Sequence, residues 1–151
     1  MATNVLIVDD HPLVRAGVRQ VLAQSPSFGS VLETDSGHQA IQMAAEHKPD
    51  VTLMDLNMPG MGGIEATRLI LESWPEARII VLSGDADRMR VNNALQGGAR
   101  GYLYKQSVLT ELLIASDQVT SGGLYFSPEI SASIIVDYRR AMFSHNLSLY
   151  P

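Results

Sequence analysis

The sequence predicts an α/β fold: a doubly wound, five-stranded parallel sheet covered by helices, within 151 residues. Two observations predict it. Short runs rich in β-branched residues alternate with longer segments of helical period, which is typical of parallel strands joined by crossover helices. Polar residues also follow directly where those apolar runs stop. The length fits one domain with a short extension, and we expect the common strand order 2-1-3-4-5.

Each predicted strand is followed by a predicted helix. We expect strands at 4–8, 30–34, 51–55, 78–83 and 101–104, and helices at 12–24, 37–47, 63–73, 87–97 and 108–121. Pro12 stands near the start of the first helix, where proline costs no hydrogen bond. Pro49 and the pair Gly97-Gly98 mark the ends of the second and fourth helices. One face of the first helix is apolar and is expected to cover the sheet: Val14, Val18, Val21 and Leu22.

The segment after residue 121 interrupts this alternation. GGLYFS indicates a break, and Ser127, Pro128 and Glu129 then supply a cap, a first-turn proline and a first-turn acid. Apolar residues recur at near-helical spacing from Ile130 to Met142, so we predict a sixth helix at 128–142. Because it lies outside the five α/β units, we expect a connector rather than a part of the core. The final SHNLSLYP is predicted to be an unanchored tail.

Composition excludes several classes of function. The chain has no cysteine, which excludes disulfides, zinc-thiolate sites and cysteine nucleophiles. Its net charge is −5 and its basic residues are scattered, so this chain alone is not expected to bind nucleic acid. The start MATNVLIVDD has no basic region and only a short apolar stretch, so we do not expect a signal peptide. No apolar run approaches the roughly 20 residues of a membrane span. We expect a soluble, cytoplasmic protein. The four histidines lack metal-ligand spacing and are assigned surface or loop roles.

Polar residues stand at the ends of four predicted strands. Asp9 and Asp10 follow VLIV, Asp55 follows VTLM, Ser83 follows IIVL, and Lys105 follows GYLY. Taken singly, Asp9 and Asp10 also fit a helix cap. Asp55 and Ser83 also fit turns, and Lys105 also fits a solvated strand end. In the order 2-1-3-4-5, however, strands 1, 3, 4 and 5 are successive neighbours, so all five residues meet at one edge of the sheet. That edge is where such folds bind ligands.

These residue types favour phosphoryl chemistry. Three clustered carboxylates repel one another, and a divalent cation relieves that repulsion. Mg²⁺ takes few protein carboxylates and accepts phosphate oxygens. Asp55 is the best nucleophile because a carboxylate can form an acyl phosphate, while Lys105 and Ser83 would stabilise the transferring group. No P-loop, dinucleotide fingerprint or nucleophile elbow competes, and the methionines Met54, Met58 and Met61 indicate packing.

The motifs VLIVDDHPLVR, VTLMDLNMPGMGGIE, IIVLSG and GARGYLYK make residues 3–121 closely similar to the receiver domain of two-component response regulators. The resemblance implies the flavodoxin-like receiver fold and a bound Mg²⁺. It assigns the phosphoacceptor to Asp55, the conserved lysine to Lys105 and the hydroxyl switch to Ser83. It further assigns the aromatic switch to Tyr102. The implied metal ligands are Asp9, Asp10, Asp55 and the backbone carbonyl of Asn57.

Three further segments, DDHPLVR, GYLYK and GGLYFSPEI, resemble the NarL/FixJ (LuxR-type) branch of transcriptional regulators. Members of that branch carry a C-terminal helix-turn-helix domain after such a linker helix. We therefore expect a receiver domain at 1–124, and at 125–151 a linker helix and tail towards a helix-turn-helix domain that this chain lacks. A truncated sequence is favoured over a stand-alone receiver. DNA would be contacted only through the missing domain.

The resemblance implies a switch that catalyses only its own phosphorylation and dephosphorylation. A sensor histidine kinase would phosphorylate Asp55, and Ser83 and Tyr102 would then move, changing the surface that controls homodimerisation and transcriptional output. One alternative is a Mg²⁺-dependent phosphatase of the haloacid dehalogenase type. Those enzymes usually have a second Asp where Asn57 stands, and no cap domain is evident. Another is a phosphorylation-independent pseudo-receiver that only mediates contacts, against which the intact set of site residues argues.

Overall fold

The computed structural model describes residues 2–85 and 87–149. Its single sheet is parallel throughout and has the order β2-β1-β3-β4-β5-β6. The strands are β1 (Thr3–Val8), β2 (Phe28–Thr34), β3 (Val51–Asp55), β4 (Ile79–Ser83), β5 (Gly101–Tyr104) and β6 (Tyr125–Phe126). The helices are α1 (Pro12–Ala23), α2 (Gly37–His47), α3 (Gly63–Ser73), α4 (Arg88–Gln96), α5 (Val108–Thr120) and α6 (Pro128–Leu149), with a 3₁₀ turn at Lys105–Ser107.

The parallel α/β architecture is confirmed, and the expected order 2-1-3-4-5 is contained in the observed one. The predicted count of five strands is wrong. Tyr125 and Phe126, within the segment predicted as a break, pair with Gly101 and Tyr102 of β5 as a sixth strand. A two-residue strand is too short to show alternation, and it is stabilised by its partner strand rather than by its own sequence.

The core lies on both faces of the sheet. Alternate residues of β1 show this division, since Val5 and Ile7 face one side and Leu6 and Val8 the other. One cluster packs the sheet against α1 and α5, including Val18 and Leu22 on the predicted face of α1, against which Val14 and Val21 are partly buried. The other packs it against α2, α3, α4 and the start of α6. Strands buried on both faces are apolar almost throughout, which explains the continuous apolar runs.

The sixth helix is longer and more deeply packed than predicted. It runs from Pro128 to Leu149 rather than ending at 142, so most of the expected tail is helical. Tyr150 and Pro151 lie outside the described residues. Ile130 is fully buried in the same cluster as Tyr102, and α6 contacts α4 and β5. The expectation of a connector outside the core is therefore wrong for the first turn of α6. The division at 124/125 stays a prediction.

The strand ends set the position of the candidate site. Asp55 and Ser83 are the last residues of β3 and β4, Lys105 directly follows β5, and Asp9 directly follows β1. The first turn of α3 approaches β3 very closely, since a Cβ atom on Gly63 would lie 2.2 Å from the carbonyl oxygen of Asp55. Only glycine fits there. No helix in the described part of the chain has both the length and the hydropathy that a membrane span requires.

Candidate functional site

Two buried carboxylates share one lysine at the carboxyl edge of the sheet. Asp9 and Asp55 are fully buried, and the Lys105 ammonium lies 3.1 Å from Asp9 Oδ2 and 3.2 Å from Asp55 Oδ2. A buried charge is costly unless it is paired, and one cation cannot neutralise two anions. These contacts confirm that the ends of β1, β3 and β5 meet. The carboxyl groups of Asp9 and Asp55 together can carry more negative charge than Lys105 alone balances.

Asp10 and His11 complete an acidic cluster with Asp9 and Asp55. The imidazole Nδ1 of His11 lies 2.7 Å from Asp9 Oδ1, 3.1 Å from Asp10 Oδ1 and 3.7 Å from Asp55 Oδ2. One donor atom from each of the four residues lies within 4.8 Å of the others. The surface or loop role predicted for His11 is incomplete, because its half-exposed ring reaches into the site. Its position directly after the aspartate pair was the available signal.

The surroundings of Asp55 disturb the ionisation of its carboxyl group. Burial raises the pKa of Asp55 above its ordinary value, and the neighbouring charge of Asp9 raises it further. The backbone N–H of Asn57, which donates to Asp55 Oδ1 at 3.1 Å, and the Lys105 ammonium lower it in part. The carboxylate is thus held in a setting that disfavours its charge, a common property of functional groups.

The cluster has the donor atoms that a hard divalent cation requires. Asp9 Oδ2 and Asp10 Oδ1 are buried and accept no hydrogen bond of acceptable geometry within the described residues, although Lys105 and His11 lie near them. Buried polar atoms are normally satisfied, so two unsatisfied carboxylate oxygens facing one cluster need an explanation. Mg²⁺ prefers carboxylate oxygens and would satisfy both. The residues present therefore fit such an ion.

The backbone around Asp9 is fixed from two sides. The His11 backbone N–H donates to Asp9 Oδ1 at 2.8 Å, and Arg15 Nη1 donates to the Asp9 carbonyl oxygen at 2.6 Å. Arg15 is itself paired with Glu33 on β2 at 3.1 Å. These contacts restrict the carboxylate of Asp9 before any ligand arrives. Arg15 was not predicted as a site residue, because its role depends on a carbonyl group that carries no sequence signal.

Ser83 and Tyr102 lie on adjacent strands and are both fully buried. The Ser83 hydroxyl accepts a hydrogen bond from the backbone N–H of Asp85 at 3.3 Å. The Tyr102 hydroxyl has no partner within the described residues. Burial raises the pKa of Tyr102, and the nearby Ser83 hydroxyl lowers it only in part. Tyr102 is thus packed inward beside Ser83, and its hydroxyl has no hydrogen-bond partner within the described residues.

The outer side of the site is bordered by polar side chains. Arg90 on α4 contacts the side-chain oxygen of Asn57, and its guanidinium lies 3.7 Å from Asp85. Asn57 is exposed, and the structure shows its backbone N–H bound to Asp55. Its predicted role through the backbone carbonyl stays a prediction. Arg90 had no sequence signal, because it reaches Asn57 across 33 positions of the chain.

The fold and this constellation define a receiver domain, and comparison with known proteins agrees. The chain belongs to the response regulator receiver domain family, whose pattern matches residues 5–117. It is 39% identical over 137 residues to the transcriptional regulatory protein DegU of Brevibacillus brevis, covering 91% of this chain and 58% of that protein. It is 41% identical over 131 residues to the response regulator GacA of Pseudomonas aeruginosa, covering 87% of this chain and 61% of that protein.

A solved structure of a response regulator also resembles this chain. A two-component response regulator of the LuxR family from Aurantimonas sp. SI85-9A1 superposes with a TM-score of 0.86 at 34% identity, covering 91% of this chain and 99% of that one. The predicted family and its NarL/FixJ (LuxR-type) branch are confirmed. The chain spans about three fifths of the length of the curated relatives DegU and GacA.

Proposed function

We propose that this chain is the phosphoacceptor module of a two-component response regulator and that Asp55 is the phosphorylated residue. The observation that carries the proposal is the fully buried Asp55 carboxylate, which contacts Lys105 and belongs to the acidic cluster at the carboxyl edge of the sheet. Its phosphodonor is a sensor histidine kinase, which places the exchange in the cytoplasm.

The transfer is a single displacement at phosphorus. A carboxylate oxygen of Asp55 attacks the phosphoryl group, the bond from phosphorus to the donor nitrogen breaks, and the donor imidazole leaves with the electron pair. The product is an acyl phosphate, which water later hydrolyses to restore the carboxylate. The chain is therefore consumed and regenerated, and acts as a switch rather than as a turnover enzyme. A small acyl phosphate such as acetyl phosphate can replace the kinase as donor.

Each residue of the site has a role in that step. Asp9, Asp10, Asp55 and the Asn57 carbonyl would hold Mg²⁺, which when bound neutralises the phosphoryl oxygens. Lys105 already contacts Asp55 and supplies a second positive charge, which stabilises the negative charge that develops on the phosphoryl oxygens during transfer. Ser83, at the end of the neighbouring strand, donates its hydroxyl proton to a phosphoryl oxygen. In its contact with the Asp85 backbone N–H the Ser83 hydroxyl is the acceptor, so this contact does not use the hydroxyl proton.

Strand β5 provides a route from phosphorylation to output. Tyr102 lies beside Ser83 on this strand, and its carbonyl accepts a hydrogen bond from the Ser127 backbone N–H at 2.9 Å. Ser127 immediately precedes α6, so a shift of β5 reaches the linker helix directly. We place the receiver at 1–124 and the linker at 125–151. The expected output is homodimerisation and control of a C-terminal helix-turn-helix domain that binds DNA.

The test is intact mass after incubation with acetyl phosphate and Mg²⁺. We expect one added phosphoryl group in the wild type and none in Asp55→Asn. Asp85→Asn is the matched control, because it removes an exposed acid just outside the cluster and is expected to keep the adduct. An adduct that persists in Asp55→Asn would refute the assignment. Continuous phosphate release over many turnovers would instead favour a phosphatase.

A further inference from the structure

His11 is the one member of the cluster that offers nitrogen instead of oxygen. Its Nδ1 atom approaches Asp9, Asp10 and Asp55, at 2.7, 3.1 and 3.7 Å, so the donor set contains three carboxylates and one imidazole. The ring is about half exposed, with 53% of its surface accessible, so it can adjust without disturbing the core. The other three members come from the ends of β1 and β3, and two of them, Asp9 and Asp55, are fully buried.

The contacts of this nitrogen conflict with one another. A protonated Nδ1 can donate to Asp9 Oδ1 at 2.7 Å, but it then cannot accept from the Lys105 ammonium at 2.9 Å. A bare Nδ1 can accept from Lys105, but it then has no hydrogen to donate to the Asp9 oxygen. One ring nitrogen cannot satisfy both neighbours. A cation bound between the carboxylates and Nδ1 removes the conflict, because the lone pair and all three acids then face positive charge.

The backbone holds the ring in this place. The His11 N–H donates to Asp9 Oδ1 at 2.8 Å, and His11 has an extended conformation, with φ −99° and ψ 108°, at the residue preceding α1. Pro12 follows it, and a residue before proline is restricted to extended conformations. The imidazole is thus presented to the acids by a constrained segment rather than by a mobile loop.

We propose that His11 Nδ1 is a direct ligand for first-row transition-metal cations such as Mn²⁺ and Zn²⁺, so that this receiver discriminates less strongly in favour of Mg²⁺ than an all-oxygen site would. Carboxylate, carbonyl and water ligands suit Mg²⁺, whereas imidazole suits the softer divalent cations. The inference rests on the proposed metal site but adds a ligand and a metal class to it. Within the described residues the buried Asp10 Oδ1 accepts no hydrogen bond, and Asp9 Oδ2 is paired with the Lys105 ammonium at 3.1 Å without a hydrogen bond of acceptable geometry, so the acids have room for a further cation.

The direct test is pulsed electron paramagnetic resonance of the full chain loaded with Mn²⁺ alone. We expect the nitrogen modulation of a directly bound imidazole in the wild type. His11→Ala should lose it, whereas the matched control His47→Ala should keep it, because His47 is an exposed residue at the end of α2. The wild-type spectrum tests the proposal even if a variant folds poorly.

Calorimetric affinities for Zn²⁺ and Mg²⁺ provide the second readout. We expect His11→Ala to lower the ratio of Zn²⁺ to Mg²⁺ affinity by about tenfold or more, a loss comparable to that caused by removing a supporting residue of a metal site. Mg²⁺ affinity should change little.

Two results would overturn the inference while leaving the proposed function intact. Mn²⁺ could bind without nitrogen modulation, or His11→Ala could leave the affinity ratio unchanged while acetyl phosphate still modifies Asp55. Either result would mean that the ring is displaced by the metal. Failure of the wild type to bind any of the three cations would refute the proposed function together with this inference.

Discussion

Replacing Ile130 by alanine tests whether the sixth helix is part of the folded core. Ile130 lies in the first turn of α6, is fully buried, and belongs to the cluster that contains Tyr102. Ile135, five residues further along the same helix, is 58% exposed. The same substitution at these two positions therefore separates core packing from helix propensity, because both variants exchange isoleucine for alanine within α6.

The expected loss of stability follows from the burial of Ile130. A fully buried isoleucine replaced by alanine costs about 2–5 kcal/mol in lost transfer free energy and cavity formation. We expect about 3 kcal/mol for Ile130→Ala, since its surroundings combine the sheet with α4 and relax only in part. For a chain of this size that corresponds to a fall in Tm of roughly 6–12 °C. For Ile135→Ala we expect a change within about 0.5 kcal/mol.

Urea denaturation followed by circular dichroism measures both variants, with the midpoint and the m-value fitted separately. A smaller loss for Ile130→Ala together with a reduced m-value would mean that α6 detaches before the rest unfolds, so the free energy of docking limits the loss. Equal effects of Ile130→Ala and Ile135→Ala would refute the packing of α6 against β5.

Three further predictions concern the site and its supports. Asp55→Asn should stabilise the fold near neutral pH, because burial raises the pKa of Asp55 in the folded state above its ordinary value of 3.8. Above pH 3.8 the folded state therefore binds more protons than the unfolded state, and ionisation of Asp55 lowers the stability as pH rises. The gain in Tm from Asp55→Asn should vanish below pH 3.8. A gain that persists in acid would contradict this origin. Gly63→Ala should lower Tm and abolish phosphorylation, since its Cβ would clash with the Asp55 carbonyl at 2.2 Å, whereas Gly84→Ala, with open space around it, should retain both. Ser127→Ala should cost about 1–3 kcal/mol in urea denaturation, because the Tyr104 N–H loses its acceptor at 2.8 Å, and an unchanged midpoint would mean that water replaces it.

The main architecture could be predicted because it depends on strong local patterns. The apolar runs at β1, β3 and β4 are buried on both faces, and the helices between them carry clear start and stop signals. The observed strand boundaries differ from the predicted ones where pairing with a neighbouring strand sets the boundary. Strand β2 begins at Phe28 rather than at residue 30, because Phe28 pairs with Thr3 at the start of β1. No feature of residues 28–29 alone indicates that partner.

Strand β6 and the packing of the first turn of α6 in the core were missed for one physical reason. Strand β6 and the first turn of α6 are stabilised by β5, so their sequence shows only a glycine-rich break followed by a helix start. The extension of α6 beyond 142 was missed because apolar periodicity fades there, although no glycine or proline ends the helix before Pro151. Helix length depends on the absence of a stop signal as much as on an apolar face.

The site was predicted more completely at its acids and lysine than at its surroundings. Asp9, Asp10, Asp55 and Lys105 could be placed together because parallel strands bring their carboxyl ends to one edge. Arg15 ends the DDHPLVR segment, but its role could not be predicted, because its contact with the backbone carbonyl of Asp9 depends on how helix α1 packs. Such supporting contacts become visible only in three dimensions.

The central claim is that Asp55 itself carries the phosphoryl group, and chemical localisation tests it most directly. Wild-type protein treated with acetyl phosphate and Mg²⁺ would be reduced with borohydride, which converts an aspartyl phosphate to homoserine, then digested and sequenced by mass spectrometry. Homoserine at position 55, dependent on acetyl phosphate, is the predicted result. Homoserine at Asp9 or Asp10, or unmodified aspartate at all three positions in protein that carries the adduct, would contradict it.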